Sequence, residues 1–293
     1  MNLRESSSDF LADQRSRGNS PATLDYYRRI LFRFADFANV TDTAAISLHH
    51  CRAWYAELAN SQLTSVSVQT YIRGLRAYLE WLYENEYIPE DIPRKFKLPK
   101  AQRKTIDILT DDEIRRLFAA FDPAIPTGAR DLCICSLMLD SGLRLHEVVT
   151  LRRDSIHPED GYAIVSGKGS KQRIVPIGKQ TAETIRRYEL IRPRGGSSFF
   201  LCIDGAPVTD NTLKDLFRKL KHRAEIPRLH PHLLRHTFAT RYLENGGNIY
   251  SLQTILGHTS LEMVKRYLHL ANTRIRRDFS KYSPLDNLFP MCV

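Results

Sequence analysis

The sequence predicts a mainly α-helical protein in two parts: an all-α helical bundle, then a larger and mostly α domain that holds one small antiparallel β element. Three observations carry this. Apolar residues recur at three- and four-residue spacing between recognisable caps through most of the chain. Only Tyr162 to Ile177, YAIVSGKGSKQRIVPI, shows two β-branched runs about a turn, the signature of a hairpin. A basic stretch broken by prolines, Ile88 to Lys104, interrupts the helical periodicity between the two parts. The expected division is residues 1–87 for the bundle, 88–104 for a linker, 105–272 for the second domain and 273–293 for a C-terminal tail.

A chain of 293 residues is long enough for two domains with separate cores, and 42% hydrophobic content is that of an ordinary globular protein. The first residues, MNLRESSSDF, are polar and no apolar run approaches the ~18 residues of a membrane helix, so neither a signal peptide nor a span is expected and the protein reads as cytoplasmic. Cys51, Cys133, Cys135, Cys202 and Cys292 are scattered without a CxxC pair and read as reduced thiols, neither disulfides nor zinc ligands. The net charge of +10 favours a polyanionic partner. Residues 1–102 hold 13 Lys and Arg against 12 Asp and Glu, while residues 103–293 hold 30 against 21. The excess therefore sits in the second domain.

In the first part a short helix near Leu3–Arg15 stops at Gly18-Asn19. Ser20 then caps a helix over Ala22–Phe37 with Pro21 at its first position. Leu24, Tyr27, Leu31, Phe34 and Ala38 give that helix a buried face. Further helices are expected at His49–Ala59 and Val66–Asn85, the latter with Tyr71, Leu75, Tyr78, Leu79 and Leu82 on one side. In the second part Thr110 and Glu113 form a capping box that opens a helix over Asp111–Phe121. A buried helix follows at Gly128–Ser141, carrying LCICSLML, then the hairpin, then helices at Lys179–Ile191, Thr209–Ala224, Leu229–Glu244 and Ile249–Leu256, with one more opened by Ser260.

Four places carry candidate chemistry. Arg144 follows the Ser141-Gly142 stop and has Glu147 three residues on, which on spacing alone is an ordinary ion pair. Lys168 stands at the hairpin tip in Gly167-Lys168-Gly169, with Lys171 close by; a Walker-type phosphate loop is excluded because the spacing is wrong and no helix follows. His232 and Arg235 project from one helical face a turn apart. His258 follows the helix-ending Gly257, and Tyr267 lies beside a basic pair. Taken singly these have bland readings: His232 with His236 as a metal pair, though no Glu stands at 233; any one His as a satisfied surface or core residue; Tyr267 as core beside Leu261, Val264 and Leu268.

Together, His-Leu-Leu-Arg-His-Thr-Phe-Ala-Thr at 232–240, Leu-Gly-His at 256–258 and Tyr267 resemble the tyrosine recombinase family, the phage integrase and Xer-type site-specific DNA recombinases. Several unlike residues match at fixed spacing, the resemblance spans nearly the whole chain, and the length suits the compact Xer-like form without an added arm-binding domain. The resemblance implies a core-binding, SAM-like N-terminal helical domain on one side of a DNA duplex and the catalytic domain on the other. It implies a catalytic hexad: Arg144 and Arg235 on the scissile phosphate, Lys168 as acid for the leaving 5′-hydroxyl, His232 as base, His258 as a hydrogen-bond donor to phosphate and Tyr267 as nucleophile, with Glu147 holding Arg144.

Candidate DNA contacts are Arg28, Arg29, Arg73 and Arg76 in the bundle and Lys171, Arg173, Lys214, Arg218 and Arg241 in the second domain. No metal, cofactor or ATP is implied. The implied partners are a double-stranded DNA site and three further copies, a homotetramer on two duplexes, with the tail docking on a neighbouring protomer. The implied reaction passes through a 3′-phosphotyrosine and a Holliday junction, as in movement of a mobile element or Xer-type resolution of chromosome dimers. The alternatives are a nicking-closing enzyme like a type IB topoisomerase, and a DNA-binding regulator that has the fold without turnover.

Overall fold

The computed structural model describes residues 1–99, 107–167 and 172–257. Lys168, Lys171, His258, Tyr267, the helix expected after Ser260 and the tail lie outside the described residues. The chain divides into two compact units, Met1–Lys104 and Thr105–Val293.

In the first unit four helices, α1 (Leu3–Ser16), α2 (Pro21–Ala38), α3 (Leu48–Asn60) and α4 (Ser65–Glu84), start where polar side chains cap them. Asn2, Ser20, Ser47 and Thr64 each accept a backbone N–H of the first turn. Their apolar stripes meet in one core in which Phe10, Phe34, Trp54 and Tyr78 are fully buried and the Phe10 ring meets Tyr78 edge-on at 5.4 Å. The expected linker contributes to this core. Ile88, Ile92 and Phe96 are buried in it, and Ile92–Lys95 forms a one-turn helix, α5, capped by Asp91. Their four-residue spacing makes one apolar face, and Pro93 sits in the first turn, where its missing N–H has no intrahelical acceptor to lose.

The second unit is built on α7 (Pro126–Asp140), whose Cys133, Ile134, Cys135, Leu137 and Met138 are buried. Helices α9 (Lys179–Ile191) and α11 (Pro231–Glu244) pack against it. Around this centre lie α6 (Asp111–Ala119), the five-residue α8 (Leu145–Val149), α10 (Asp210–Arg223) and α12 (Ile249–Leu256). The hairpin is present as β2 (Tyr162–Ser166) and β3 (Gln172–Pro176), antiparallel with Ile164 opposite Ile174 and Val165 opposite Arg173. A third strand, β1 (Ile156–His157), pairs with β2 on its other side. Two residues are too few to show a period in the sequence, and the same holds for the single turn of α8.

The end of α7 is fastened to the segment just beyond the hairpin. Ser141 Oγ donates to Pro176 O at 2.6 Å, and Asp140 Oδ2 accepts from Gly178 N at 2.9 Å and Thr181 Oγ1 at 2.7 Å. No helix among the described residues is long and apolar enough to cross a membrane.

Candidate active site

A turn sets the first cation. Beyond α7 the chain reverses at Gly142, with φ 65°. A Cβ there would stand 2.5 Å from Phe238 Cδ1 and 2.9 Å from Leu256 Cδ2, so backbone angle and space both require glycine. Arg144 follows as the N-cap of α8. Its backbone N–H donates to Glu147 Oε2 and its Nη1 to Glu147 Oε1, each at 2.8 Å. The two ends of this pair differ in surroundings: the Arg144 side chain is 33% exposed and that of Glu147 only 3%.

Glu147 is gripped from a second side. Arg173, on β3, sends Nη1 to Oε1 at 2.7 Å and Nη2 to Oε2 at 2.9 Å, the two-pronged geometry that a guanidinium and a carboxylate share. Burial by itself pushes the Glu147 carboxyl upward. Hydrogen bonds and charge from Arg173 and Arg144 outweigh it and hold the group at about 2, fully ionised at neutral pH.

These arginines converge on the end of α12. The last carbonyls of a helix lack intrahelical partners and carry the negative end of its dipole. Three consecutive ones are each met by a guanidinium: Ile255 O by Arg173 Nε at 2.7 Å, Leu256 O by Arg235 Nη2 at 2.7 Å and Gly257 O by Arg144 Nη2 at 3.4 Å. Arg235, on α11, is 5% exposed, and its Nη1 also donates to Gly142 O. Among the described residues, three guanidiniums are set here beside one carboxylate, that of Glu147. Gly257 closes α12 in the left-handed region at φ 60°, and the next residue in sequence is His258.

His232 lies one turn before Arg235 on α11. Burial, then the charges of Arg235, His230 and Arg144, lower its pKa, which favours the neutral imidazole, the form able to accept a proton. The His232 and His236 rings stand 6.4 Å apart, and among the described residues no three His, Cys, Asp or Glu side chains gather as a metal site. Arg144, Glu147, Arg235 and His232 are thus on elements that meet at one place. The arrangement can hold the non-bridging oxygens of a phosphodiester between two fixed forks with a neutral imidazole beside them.

The remaining candidates are spread over both units. Arg28 and Arg29 are exposed on α2, both near Asp25, at 3.9 Å and 3.2 Å. Arg73 is exposed on α4 and bonds Gln69, while Arg76 is half-buried. Lys214 and Arg218 lie on the solvent face of α10, Arg218 paired with Asp215 at 2.9 Å. Arg241 pairs with Asp111 at 2.6 Å and Glu244 at 3.7 Å. Arg173, expected among the DNA contacts, is turned inward. Its side chain is 11% exposed and its three nitrogens are bound to Glu147 and Ile255 O. Strand alternation holds the signal for this, since Arg173 shares the inward face with the fully buried Val175 while Ile174 between them is 61% exposed. The carbonyls of α12 had no signal in side-chain spacing.

The model of the phage integrase family matches residues 107–274, and that of the phage integrase N-terminal SAM-like domain matches residues 9–86. Tyrosine recombinase XerC of Oceanobacillus iheyensis is 29% identical over 286 residues, covering 94% of each chain. Tyrosine recombinase XerD of Listeria monocytogenes is 28% identical over 280 residues, covering 92% of this chain and 94% of its own. Among solved structures, the Tn1549 transposon integrase in complex with transposon right end DNA is similar with a TM-score of 0.78 at 18% identity, covering 94% of this chain and 99% of that one.

Proposed function

We propose, for a chain that belongs to the phage integrase family, that the arginine cluster at the end of α12 is the phosphate clamp of its active site. The protein is a tyrosine-type site-specific recombinase, an enzyme that cleaves and rejoins DNA strands. Neither the topoisomerase-like nor the regulator reading is favoured by these relatives. Its partner is double-stranded DNA, in keeping with the DNA-bound recombinases and integrases among its structural neighbours. The proposed domains are a helical DNA-gripping domain over 1–87, a linker over 88–104 whose first half completes the core of that domain, a catalytic domain over 105–272 and a docking tail over 273–293. The protein works in the cytoplasm, as four copies on two duplexes.

In the proposed reaction Arg144 and Arg235 bind the non-bridging oxygens of the scissile phosphate and His258 donates a third hydrogen bond. Tyr267 attacks phosphorus while His232 takes the phenolic proton. The bond from phosphorus to the 5′-oxygen breaks, and Lys168 gives that oxygen a proton, leaving a 3′-phosphotyrosine and a free 5′-hydroxyl. An unperturbed tyrosine is only about one part in a thousand ionised at pH 7, a deficit of roughly 4 kcal/mol that the base and the cationic cluster offset. Attack by the 5′-hydroxyl of a second duplex then expels the tyrosine and reseals the strand without ATP.

The observation that carries this reading is the pair of guanidiniums fixed on successive carbonyls, Leu256 O and Gly257 O, immediately before His258. Incubating the protein with two distinguishable duplexes bearing its site should give recombinant strands, and Tyr267→Phe should give none. Relaxation or nicking of single duplexes without any exchanged product would contradict the recombinase reading.

A further inference from the structure

We propose that Arg173 is a positioning residue of the recombinase reaction, which holds Glu147, and through it Arg144, against the last turn of α12 and ties the base of the lysine-bearing hairpin to the same turn. The inference rests on the reading of Arg144 as a phosphate clamp. Arg173 is assigned no phosphate contact of its own: both terminal nitrogens face the Glu147 carboxylate, whose charge repels a phosphate, and Nε rests on Ile255 O.

The role of Arg173 is set by the behaviour of Glu147 in its absence. The carboxylate is buried, and among the described residues its guanidinium partners are Arg173 and Arg144. Losing one leaves a buried charge short of partners, a costly state that the structure relieves by drawing in the nearest cation. That cation is Arg144, whose Nη1 already touches Oε1 and whose Nη2 rests on Gly257 O at a longer 3.4 Å. Its fork then turns inward, away from where a phosphate would lie. Lysine cannot substitute, because one ammonium on a flexible stem does not span a carboxylate and a carbonyl together.

Two further features fit the role. Gly257 leaves its Cβ space to this side chain: a methyl group there would meet Arg173 Cδ at 3.0 Å and Nε at 3.1 Å. In sequence, Arg173 lies five residues after Lys168, on the strand that returns from the hairpin tip, opposite Val165. One side chain therefore fastens the strand that leads to the proposed acid, the carboxylate that aims one clamp, and the helix end that precedes the proposed hydrogen-bond donor.

The test uses the full-length protein with Arg173→Lys, Arg173→Gln and Glu147→Gln, on DNA carrying the cleavage site. Single-turnover cleavage should fall about 100-fold in each, the scale on which a misplacement of around 1 Å is felt. Three readouts separate positioning from other roles. In a Tyr267→Phe, Arg144→Ala background Arg173→Gln should leave the slope of log affinity against log salt unchanged, because the contact that Arg173 supports is already gone, whereas loss of a phosphate contact made by Arg173 itself would make it shallower by about 0.9. Arg173→Lys added to Arg144→Ala should slow cleavage no further than Arg144→Ala alone, because one acts through the other. On a substrate with a neutral methylphosphonate at the scissile position the defects of Arg173→Lys and Arg144→Ala should shrink together.

Additive rates, or equal defects on charged and neutral phosphate, would mean general loosening of the fold and overturn the proposal; a shallower salt slope from Arg173→Gln in the Arg144→Ala background would overturn it in favour of a DNA contact. If Arg173→Gln does not fold, as judged by melting, Arg173→Lys and Glu147→Gln decide. A normal rate in Arg173→Lys beside a crippled Arg144→Ala overturns the inference alone. A normal rate in Arg144→Ala overturns the functional reading and the inference with it.

Discussion

A carboxylate that is buried, ionised and shared by two arginines is the residue on which the clamp turns, and its pH behaviour can be read in stability. The pKa of Glu147 in the folded protein, about 2, lies below its ordinary value, so the unfolded chain binds the more protons and acid favours unfolding. The contribution is complete above an ordinary carboxylate pKa of about 4.3 and lost as pH falls towards 2; at about 1.4 kcal/mol per unit it is on the order of 3 kcal/mol. Urea unfolding should show wild type far more stable than Glu147→Gln at pH 7 and the gap closing between pH 5 and pH 2; a constant gap would contradict the assignment. His232 moves for related reasons. Burial and the charges of Arg235, His230 and Arg144 hold its pKa down. Its imidazole resonances should titrate with a midpoint below the usual ~6.5, and Arg144→Ala should move that midpoint upward. A midpoint at or above 6.5 in the wild type would remove the case for a neutral base.

At the scale of elements, the short α12 matters more than its eight residues suggest, because its C-terminal carbonyls are the surface on which three guanidiniums are set. Gly257 makes that surface. Alanine there would hold a left-handed backbone at a cost of about 1 kcal/mol and push on Arg173, so Gly257→Ala should lower thermal stability by a few degrees and cleavage by about 10-fold or more. Unaltered cleavage would show that the placement of α12 against Arg173 is of no consequence.

Sequence patterning already exposed most of these elements. The long helices were readable because stripe, cap and stop agree, as in α2 with Ser20, Pro21 and its apolar face. Legibility failed where structure depends on contacts remote in sequence. The one-turn α5 exists because Ile88, Ile92 and Phe96 find a core, and β1 because β2 is already in place. In the site, Arg144, Arg235 and Glu147 could be picked out by motif, whereas the use of Arg173 depended on which side of β3 faced inward.

For the whole molecule the uneven charge is the guiding fact. The first 102 residues carry an excess of +1 and the rest +9, so long-range attraction to DNA belongs chiefly to the second unit, and Arg28, Arg29 and Arg73, exposed on α2 and α4, are the proposed local contacts of the helical bundle. Both parts match models of one family, and relatives align along nearly the full chain. One covalent bond therefore decides whether the proposed chemistry takes place. DNA carrying the recombination site, nicked so that the released 5′ end diffuses away, should become attached to the protein, and mass spectrometry should place the phosphoryl group on Tyr267. Tyr267→Phe should bind the same DNA and trap none. Trapping by both proteins, or a phosphoryl group on any other residue, would contradict the account.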